Sequence, residues 1–480
     1  MKTKSVSNST KSSFKLNYKR TMLIGFAFFG ILLMWQIYDS WCPTFLSQLF
    51  CDAFSLDPTA DSEKVQYLVG IMMALDNVAA LILMPIFGRL SDKTHTKIGK
   101  RMPFILIGTF LCAVALPFIP LFFHLDELAG VIVMMAIVVA SGMMYRNPAV
   151  ALMPDITPKP LRSKANGIIN IMGYVGGLVA TLVGIVFVLS DYLGTGKNGT
   201  ETWAYRNLWA IEIPFLVASV LMVVSAVVLA FTIRENELAV KLKDELDRGE
   251  QVAEIEDKIL DDDAPMTRAN RIMLVFILVA EFFWFMADNA IGTFMGNYTI
   301  YYLQCSTASN MVNVIVGGVG SVIGFILGGI IAGKIGRKWT VSMGLGIAFV
   351  SYVAWAICTF TVRVPEVGTF PIYIYVVSLF KGFGMSLVHI NSFPMVVELC
   401  SKKKIGAFTG YYYAASMSAQ TITPIALGSL LLLPHFSWEY LPVYALCCTG
   451  VAFLVFLFVK NVKTRKTKIA KGLASFAQED

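Results

Sequence analysis

FILIGTFLCAVALPFIPLFF, residues 104–123, carries no charged side chain. A helix rises 1.5 Å per residue, so a run of about 20 apolar residues matches the roughly 30 Å hydrocarbon core of a bilayer. Comparable runs recur along the chain, as at Met22–Met34 and toward Val459. Of the 480 residues, 56% are hydrophobic and 15% charged, against about 25% charged in an ordinary soluble domain. Soluble cores do not need so many full-length apolar spans. The sequence therefore predicts an all-α membrane protein with twelve transmembrane helices. Their expected ranges are 21–43, 64–88, 103–123, 128–150, 165–190, 207–232, 271–303, 309–333, 339–361, 370–397, 405–433 and 438–459. The seventh is overlong, so part of it is expected to be loop. Residues 1–20 are polar and basic, and the apolar stretch after them is too long for a cleaved leader.

One polar segment is much longer than the others. Residues 233–270 carry Arg234, Glu235, Lys241, Asp244, Glu245, Asp247, Arg248, Glu254, Glu256 and Asp261–Asp263. The segment reads as a solvated amphipathic connector. It divides the chain into a first six-helix bundle (1–232), the linker, and a second bundle with a basic tail (271–480).

Lys and Arg give the orientation, since cytoplasmic loops are enriched in them. With the N-terminus inside, the outer segments hold only Lys64, Lys197, Arg206 and Arg363, and Arg146 and Lys381 fall within spans. All other basic residues lie on the inner side. The net charge of +7 therefore marks a cytoplasmic face and not a nucleic-acid site. Both termini are expected in the cytoplasm, and the plasma membrane is the expected location. The eight cysteines show no metal-type spacing. Most fall in apolar spans (Cys112, Cys358, Cys447, Cys448), and a Cys42–Cys51 disulfide is left open.

The halves repeat. Trp35 and Asp39 form W-x-x-x-D in the first span, and Trp284 and Asp288 form it in the seventh. Arg146, Asp155 and Gly167 recur at constant spacing as His389, Glu398 and Gly410, and Gly99-Lys100-Arg101 echoes Gly336-Arg337-Lys338. Two parallel six-helix halves resemble the plan of the major facilitator superfamily, whose halves rock around a central site. Asp39 is expected to superpose on Asp288, and Arg146 on His389.

The segment ahead of the opening run reads Gly88-Arg89-Leu90-Ser91-Asp92-Lys93, then Gly99-Lys100-Arg101-Met102-Pro103. Glycines allow a tight turn, and Asp92 can cap a helix or pair with a cation across a seam. The stretch resembles the superfamily's loop signature. From Gly88 to Gly108 it is similar to the sucrose transporters, within or near the glycoside–pentoside–hexuronide:cation symporters. Pro148 and Ala151–Asp155 resemble their fourth helix. Asp288, Ala290-Ile291-Gly292 and Tyr301-Tyr302 resemble the first helix of the melibiose-type branch. The resemblance implies coupled sugar transport by a monomer, with H+ or Na+ as coupling ion and no other cofactor. Val139 stands where plant sucrose transporters carry their coupling acid. Arg146 stands at their Gln and Val150 at the motif's Arg, so the coupling carboxylate is expected elsewhere.

A charge at bilayer depth costs roughly 2.5–3.5 kcal/mol or more and needs a partner, water or a function. The candidates are Asp39, Asp76, Arg146, Glu212, Glu281, Asp288, Lys381 and His389. All but Asp76 and Glu212 lie on helices one, four, seven and ten, which line the cavity in the superfamily plan. Glu281, Trp284, Phe285 and Asp288 share a helix face by spacing, an acidic and aromatic stripe suited to a sugar. A packing seam with one salt bridge is the plain alternative, as is a structural ion pair for Arg146. Glu212 reads as interfacial. Among Asp39, Asp76, Glu281 and Asp288, the acid favoured for coupling is Asp288, then Asp39. Gly88, Asp92, Gly99, Arg101, Asp155 and Glu398 form the expected cytoplasmic gate. There Asp155 faces Lys159, Arg162 and Lys164, and Glu398 faces Lys402–Lys404.

Gly194–Asn198 lacks the spacing of a phosphate loop, and no nucleophile or metal constellation stands out, so no enzyme is expected. The expected function is cation-coupled symport of a disaccharide such as sucrose or maltose. A carrier or exporter of another small solute, favoured by Lys381 and Arg146, and a non-transporting sensor are the alternatives.

Overall fold

A computed structural model of the chain describes residues 14–189, 211–259, 267–362, 369–399 and 404–460. The glycine-rich loop at 194–198, Lys197, Arg206, Arg363, Lys402, Lys403 and Asp261–Asp263 lie outside the described residues. Twelve long helices follow the apolar runs: α1 Tyr18–Ala53, α2 Gln66–Lys93, α3 Met102–Ala115, α4 Leu128–Asp155, α5 Arg162–Val186 and α6 Glu212–Thr232. After the linker come α7 Arg268–Asn297, α8 Thr307–Ile335, α9 Arg337–Thr361, α10 Ile372–Glu398, α11 Ile405–Leu430 and α12 Leu441–Leu457. No strand forms among the described residues beyond an isolated Thr96–Gly99 bridge.

Local chemistry sets the ends. Asn17 caps α1 by accepting the Arg20 amide at 3.0 Å, and Thr267 and Ser306 do the same for α7 and α8, as short polar side chains do at orphan amides. The third span breaks at Pro117 and resumes as Phe118–His124. The seventh contains no loop: α7 runs into a π-turn over Tyr298–Tyr302, which corrects the sequence expectation. Among the described residues, eleven spans are long and apolar enough to cross a membrane, the third of them taken from Met102 through His124. The exception is α11, whose Tyr-, Ser- and Thr-rich stretch is too polar by composition, yet it packs lengthwise on α2 and α7.

Helix pairing repeats between halves. In the first, α1 packs on α5 and α6, and α4 packs on α2 and α3; in the second, α7 packs on α11 and α12, and α10 on α8 and α9. Contact between halves runs through α1 with α7, α2 with α11, and α5 with α8. One of the repeat's short matches has a shared backbone requirement: Gly99 (φ +124°) and Gly336 (φ +85°) both occupy the positive-φ region, which glycine adopts without strain. Cys42 and Cys51 are free thiols on one helix. Nine residues of α-helix separate them by about 13 Å, too far for a disulfide.

The linker is amphipathic, with most of its described side chains exposed and a few leucines turned inward. It forms helices Glu235–Lys241 and Lys243–Ile259, and Leu238, Leu242 and Leu246 pack on the first half's core. Lys159 lies 3.9 Å from Glu250.

Candidate functional site

Among the described residues, the contacts between the halves concentrate at one end of the bundle. At the end opposite the linker, Thr44 Oγ1 donates to Asn297 Oδ1 (2.8 Å), Asn297 Nδ2 donates to Gln66 Oε1 (3.0 Å), and Gln48 Nε2 donates to Tyr301 Oη (2.9 Å). The Trp438 amide donates to Glu63 at 2.8 Å. A Cβ on Gly70 would fall on the Pro424 carbonyl, and one on Gly428 would fall on that of Gln66, so α2 and α11 cross backbone to backbone. Toward the linker end, a Cβ added at Gly167 of α5, Gly329 or Gly333 of α8, or Gly406 or Gly410 of α11 would meet nothing within 4 Å. The halves are therefore shut at one end and parted at the basic end.

Two charge clusters lie midway along the helices. In the first half, Asp39 (α1) is exposed between buried Tyr38 and half-buried Ser40, which places its carboxylate toward water within the bundle. Asp39 and Arg146 (α4) attract one another electrostatically without closing an ion pair, and Tyr413, from α11 of the other half, also interacts with Arg146. Asp76 (α2) accepts from Tyr38 Oη at 2.7 Å. Half-buried Trp35 packs edge-on against Tyr38, with centroids 5.5 Å apart. In the second half, Asp288 (α7) forms a salt bridge with Lys381 (α10), His389 faces the same carboxylate, and its ring lies 5.4 Å from Phe285. The sequence-predicted residues Asp39, Asp76, Arg146, Asp288, Lys381 and His389 thus gather on α1, α2, α4, α7 and α10.

Glu281 and Trp284 do not join them. Both are fully buried within the second half, which corrects their placement in the cavity. Spacing puts them on the azimuth of Asp288, but a turn or more deeper in the bundle, where that face is covered. Glu212 sits at the start of α6, 3.7 Å from His124, at the interfacial position expected.

The expected gate residues pair within each half rather than across the seam. Arg101, buried at the start of α3, bridges Asp92 and Asp155 (2.9 Å) and donates to Ser91. Burial pulls its guanidinium toward neutrality, but Asp155 and Asp92 outweigh that and hold it charged more firmly than usual. Lys100 meets Asp155 at 3.0 Å, and its repeat counterpart Arg337 meets Glu398. Asp155 is therefore neutralised from the loop before α3. Arg162 instead donates to backbone carbonyls of Pro154 and Thr157. Gly88 lets α2 approach Asn147 of α4.

Glu235 was not among the expected gate residues. Its buried carboxylate accepts the amides of Lys100 (3.0 Å), Arg101 (2.9 Å) and Met102 (3.1 Å). An anion there satisfies orphan amides and complements the positive end of the α3 dipole. Neighbouring Asn236 donates to the Thr96 and Lys97 carbonyls. The signal in the sequence was an acid just after a long span, indistinguishable from the other linker charges.

Comparison with known proteins bears on the whole arrangement. Lactose permease of Leuconostoc lactis is 26% identical over 239 residues, which is 48% of this chain and 36% of that protein. The match therefore spans about a third of that relative's length. Among solved structures, the inward-open xylose transporter XylE from E. coli aligns with TM-score 0.63 at 15% identity, covering 95% of this chain and 98% of that one. A bacterial homologue of the iron transporter ferroportin, in its inward-facing state, gives 0.64 at 14% identity, covering 93% and 100%. Peptide transporter POT in complex with alafosfalin gives 0.58 at 14%, covering 92% and 93%. Identities this low speak to fold alone. The model of the Major Facilitator Superfamily matches residues 24–368, and in a second alignment 282–478. With nearly all its length so matched, the chain belongs to the Major Facilitator Superfamily.

Proposed function

We propose that this transporter is a cation-coupled symporter of a disaccharide or related glycoside, working as a monomer in the plasma membrane with both termini in the cytoplasm. In this reading residues 1–232 and 271–480 are the moving units, and the basic end of the bundle is cytoplasmic. The conformer described is then inward-open. The observation that carries the reading is the site's charge balance. Asp288 and Lys381 neutralise each other beside His389 and Phe285, opposite Asp39 and Arg146. Such a cavity offers carboxylates to accept sugar hydroxyls, cations to donate to them, and a ring to cover an apolar sugar face, with little net charge to repel a neutral solute. Likeness to a lactose permease over part of the chain supports a sugar.

A proton or Na+ entering with the solute would bind a carboxylate of Asp39, Asp76, Glu281 or Asp288. Formation of the Asn297 contacts over the loaded site would follow, then parting of the basic end. The test is uptake of labelled sucrose, maltose and lactose into proteoliposomes, with and without an inward proton or Na+ gradient. Accumulation of at least one sugar above its outside concentration, abolished by collapsing one gradient, is expected. Equilibration alone, whatever gradient is imposed, would remove the symport reading.

A further inference from the structure

Glu281 is buried differently from every other acid in the bundle. Its relative exposure is 0%, and neither carboxylate oxygen has a hydrogen-bond partner. Ile277, Ala280 and Trp284 flank it on α7, within the apolar core of the second half. From the packed helices, the one titratable side chain facing it among the described residues is Tyr412 of α11. No cation comes within 4.0 Å. Lys381, a candidate counter-ion on α10, is already bound to Asp288.

An ionised carboxylate in such a place has neither water, donor nor counter-ion, and several kcal/mol would oppose it. Nor does the acid hold the fold together: a carboxyl group with no partner contributes nothing that a methionine of similar volume would not. The remaining use of an acid here is to hold a proton. Tyr412 Oη is 2.9 Å from Ser392 Oγ, and the ring of Tyr412 packs edge-on against Tyr413 (5.9 Å). Tyr413 is exposed and interacts with Arg146 of the opposite half. Tyr412 thus stands between the buried acid and the residues that face the parted seam.

We propose that Glu281 is the proton-binding site of the transport cycle, occupied by a proton in this conformer and emptied past Tyr412 and Ser392 when the second half rearranges. The proton moves between the Glu281 carboxyl oxygen and water, and no other bond changes. Asp288 then serves as the fixed counter-charge of Lys381. The proposal rests on the symport reading for its role and not for its location, and two measurements keep these apart.

Infrared difference spectra of the reconstituted full chain, wild type minus Glu281→Gln at neutral pH, locate the proton. One protonated-carboxyl C=O band is expected to be lost in the variant, and identical spectra would overturn the proposal. The Glu281→Met variant should melt no lower than wild type; a large fall would show a structural role and overturn it as well. In proteoliposomes, Glu281→Gln should exchange labelled sugar with unlabelled sugar within a few-fold of wild type, while its pH-driven accumulation falls to equilibration. Retained accumulation in Glu281→Gln would sink the site. Failure of the wild type itself to accumulate any sugar in the panel would sink coupling instead, with the infrared result still deciding where the proton sits.

Discussion

Replacing Asn297 with Ala should tip the transporter away from the conformer seen here. Asn297 is fully buried where α7 meets the first half, and it holds three groups there: Thr44 Oγ1 at 2.8 Å, Gln66 Oε1 at 3.0 Å and the Pro43 carbonyl at 3.4 Å. Removing its amide leaves Gln66 Oε1 buried without a donor. The Gln66 Nε2 group is already committed to Ser47 and to the Ser62 carbonyl, so the side chain cannot flip to recover the loss. Stranding one buried acceptor costs about 1–3 kcal/mol, and the Thr44 bond adds about 1. Once the halves part at this end, water satisfies both groups, so the penalty falls on the shut state alone. A net of about 2–4 kcal/mol shifts the balance between states by roughly 30- to 900-fold. Spin labels at Ala60 and His435, both exposed near this end on opposite halves, report the change when the exposed Cys447 is first replaced by Ser. Pulsed electron–electron distances should move from one short population toward a longer one in Asn297→Ala. The control Thr361→Ala, which removes a hydroxyl bonded only within its own helix, should leave them in place. Unchanged distances in Asn297→Ala would refute the assignment of this contact as the closing element.

Three further substitutions test the clusters. Asp288→Asn should abolish both accumulation and exchange, because it strands the Lys381 ammonium beside His389, and removing one member of a desolvated pair costs about 3–5 kcal/mol. Adding Lys381→Met should restore measurable exchange, and counterflow assays that find no recovery would argue against a balancing role. Asp92→Asn should slow turnover a few-fold with substrate affinity within a few-fold of wild type. The Asp92 carboxylate is largely exposed, such pairs contribute about 0–1 kcal/mol, and Arg101 keeps Asp155. Loss of binding in a folded variant would contradict this. Glu235→Gln should destabilise the basic end by roughly 1–2 kcal/mol, since an amide oxygen serves the amides of Lys100, Arg101 and Met102 less well than a buried carboxylate. Earlier proteolytic nicking of the linker and a lower Tm in detergent would show it, and wild-type behaviour in both would rule it out.

Much of the fold was legible because the bilayer forces it: long apolar runs, basic loops and a doubled pattern leave few other arrangements. The W-x-x-x-D and Gly-Lys-Arg echoes were legible for the same reason, since each half solves the same packing problem. α11 is the least apolar of the spans; Ser416 and Thr423 are buried, while Tyr411, Tyr413 and Ser418 stay exposed. The partners of the charges were not legible. Asp288 and Lys381 are far apart in sequence, and nothing in either segment names the other. The stripe of Glu281, Trp284 and Asp288 misled for a geometric reason. Helical spacing fixes azimuth, while the edge of a cavity also depends on depth along the helix, which is set by the neighbours. Glu235 escaped because its value lies in three amides of a loop more than 130 residues earlier.

The distribution of ion pairs bears on how such a molecule can rock at all. The ion pairs of the gate and cavity charges lie within one half or between the first half and its linker: Arg101 with Asp92 and Asp155, Lys100 with Asp155, Arg337 with Glu398, Lys381 with Asp288, Lys159 with Glu250. Contacts that cross between halves are of another kind, namely neutral side-chain hydrogen bonds at Asn297, Gln66 and Tyr301, the Trp438 amide on Glu63, and glycine backbone packing at Gly70 and Gly428. Breaking a charged pair at bilayer depth leaves two ions to be resolvated or re-paired, at several kcal/mol each. Breaking a neutral hydrogen bond into water costs a net of about 1 kcal/mol. Placing the charges inside each rigid unit and the weak contacts between units keeps both end states within a few kcal/mol of one another. Under that arrangement, the protonation of one acid or the arrival of one neutral solute is large enough to decide which end stands open.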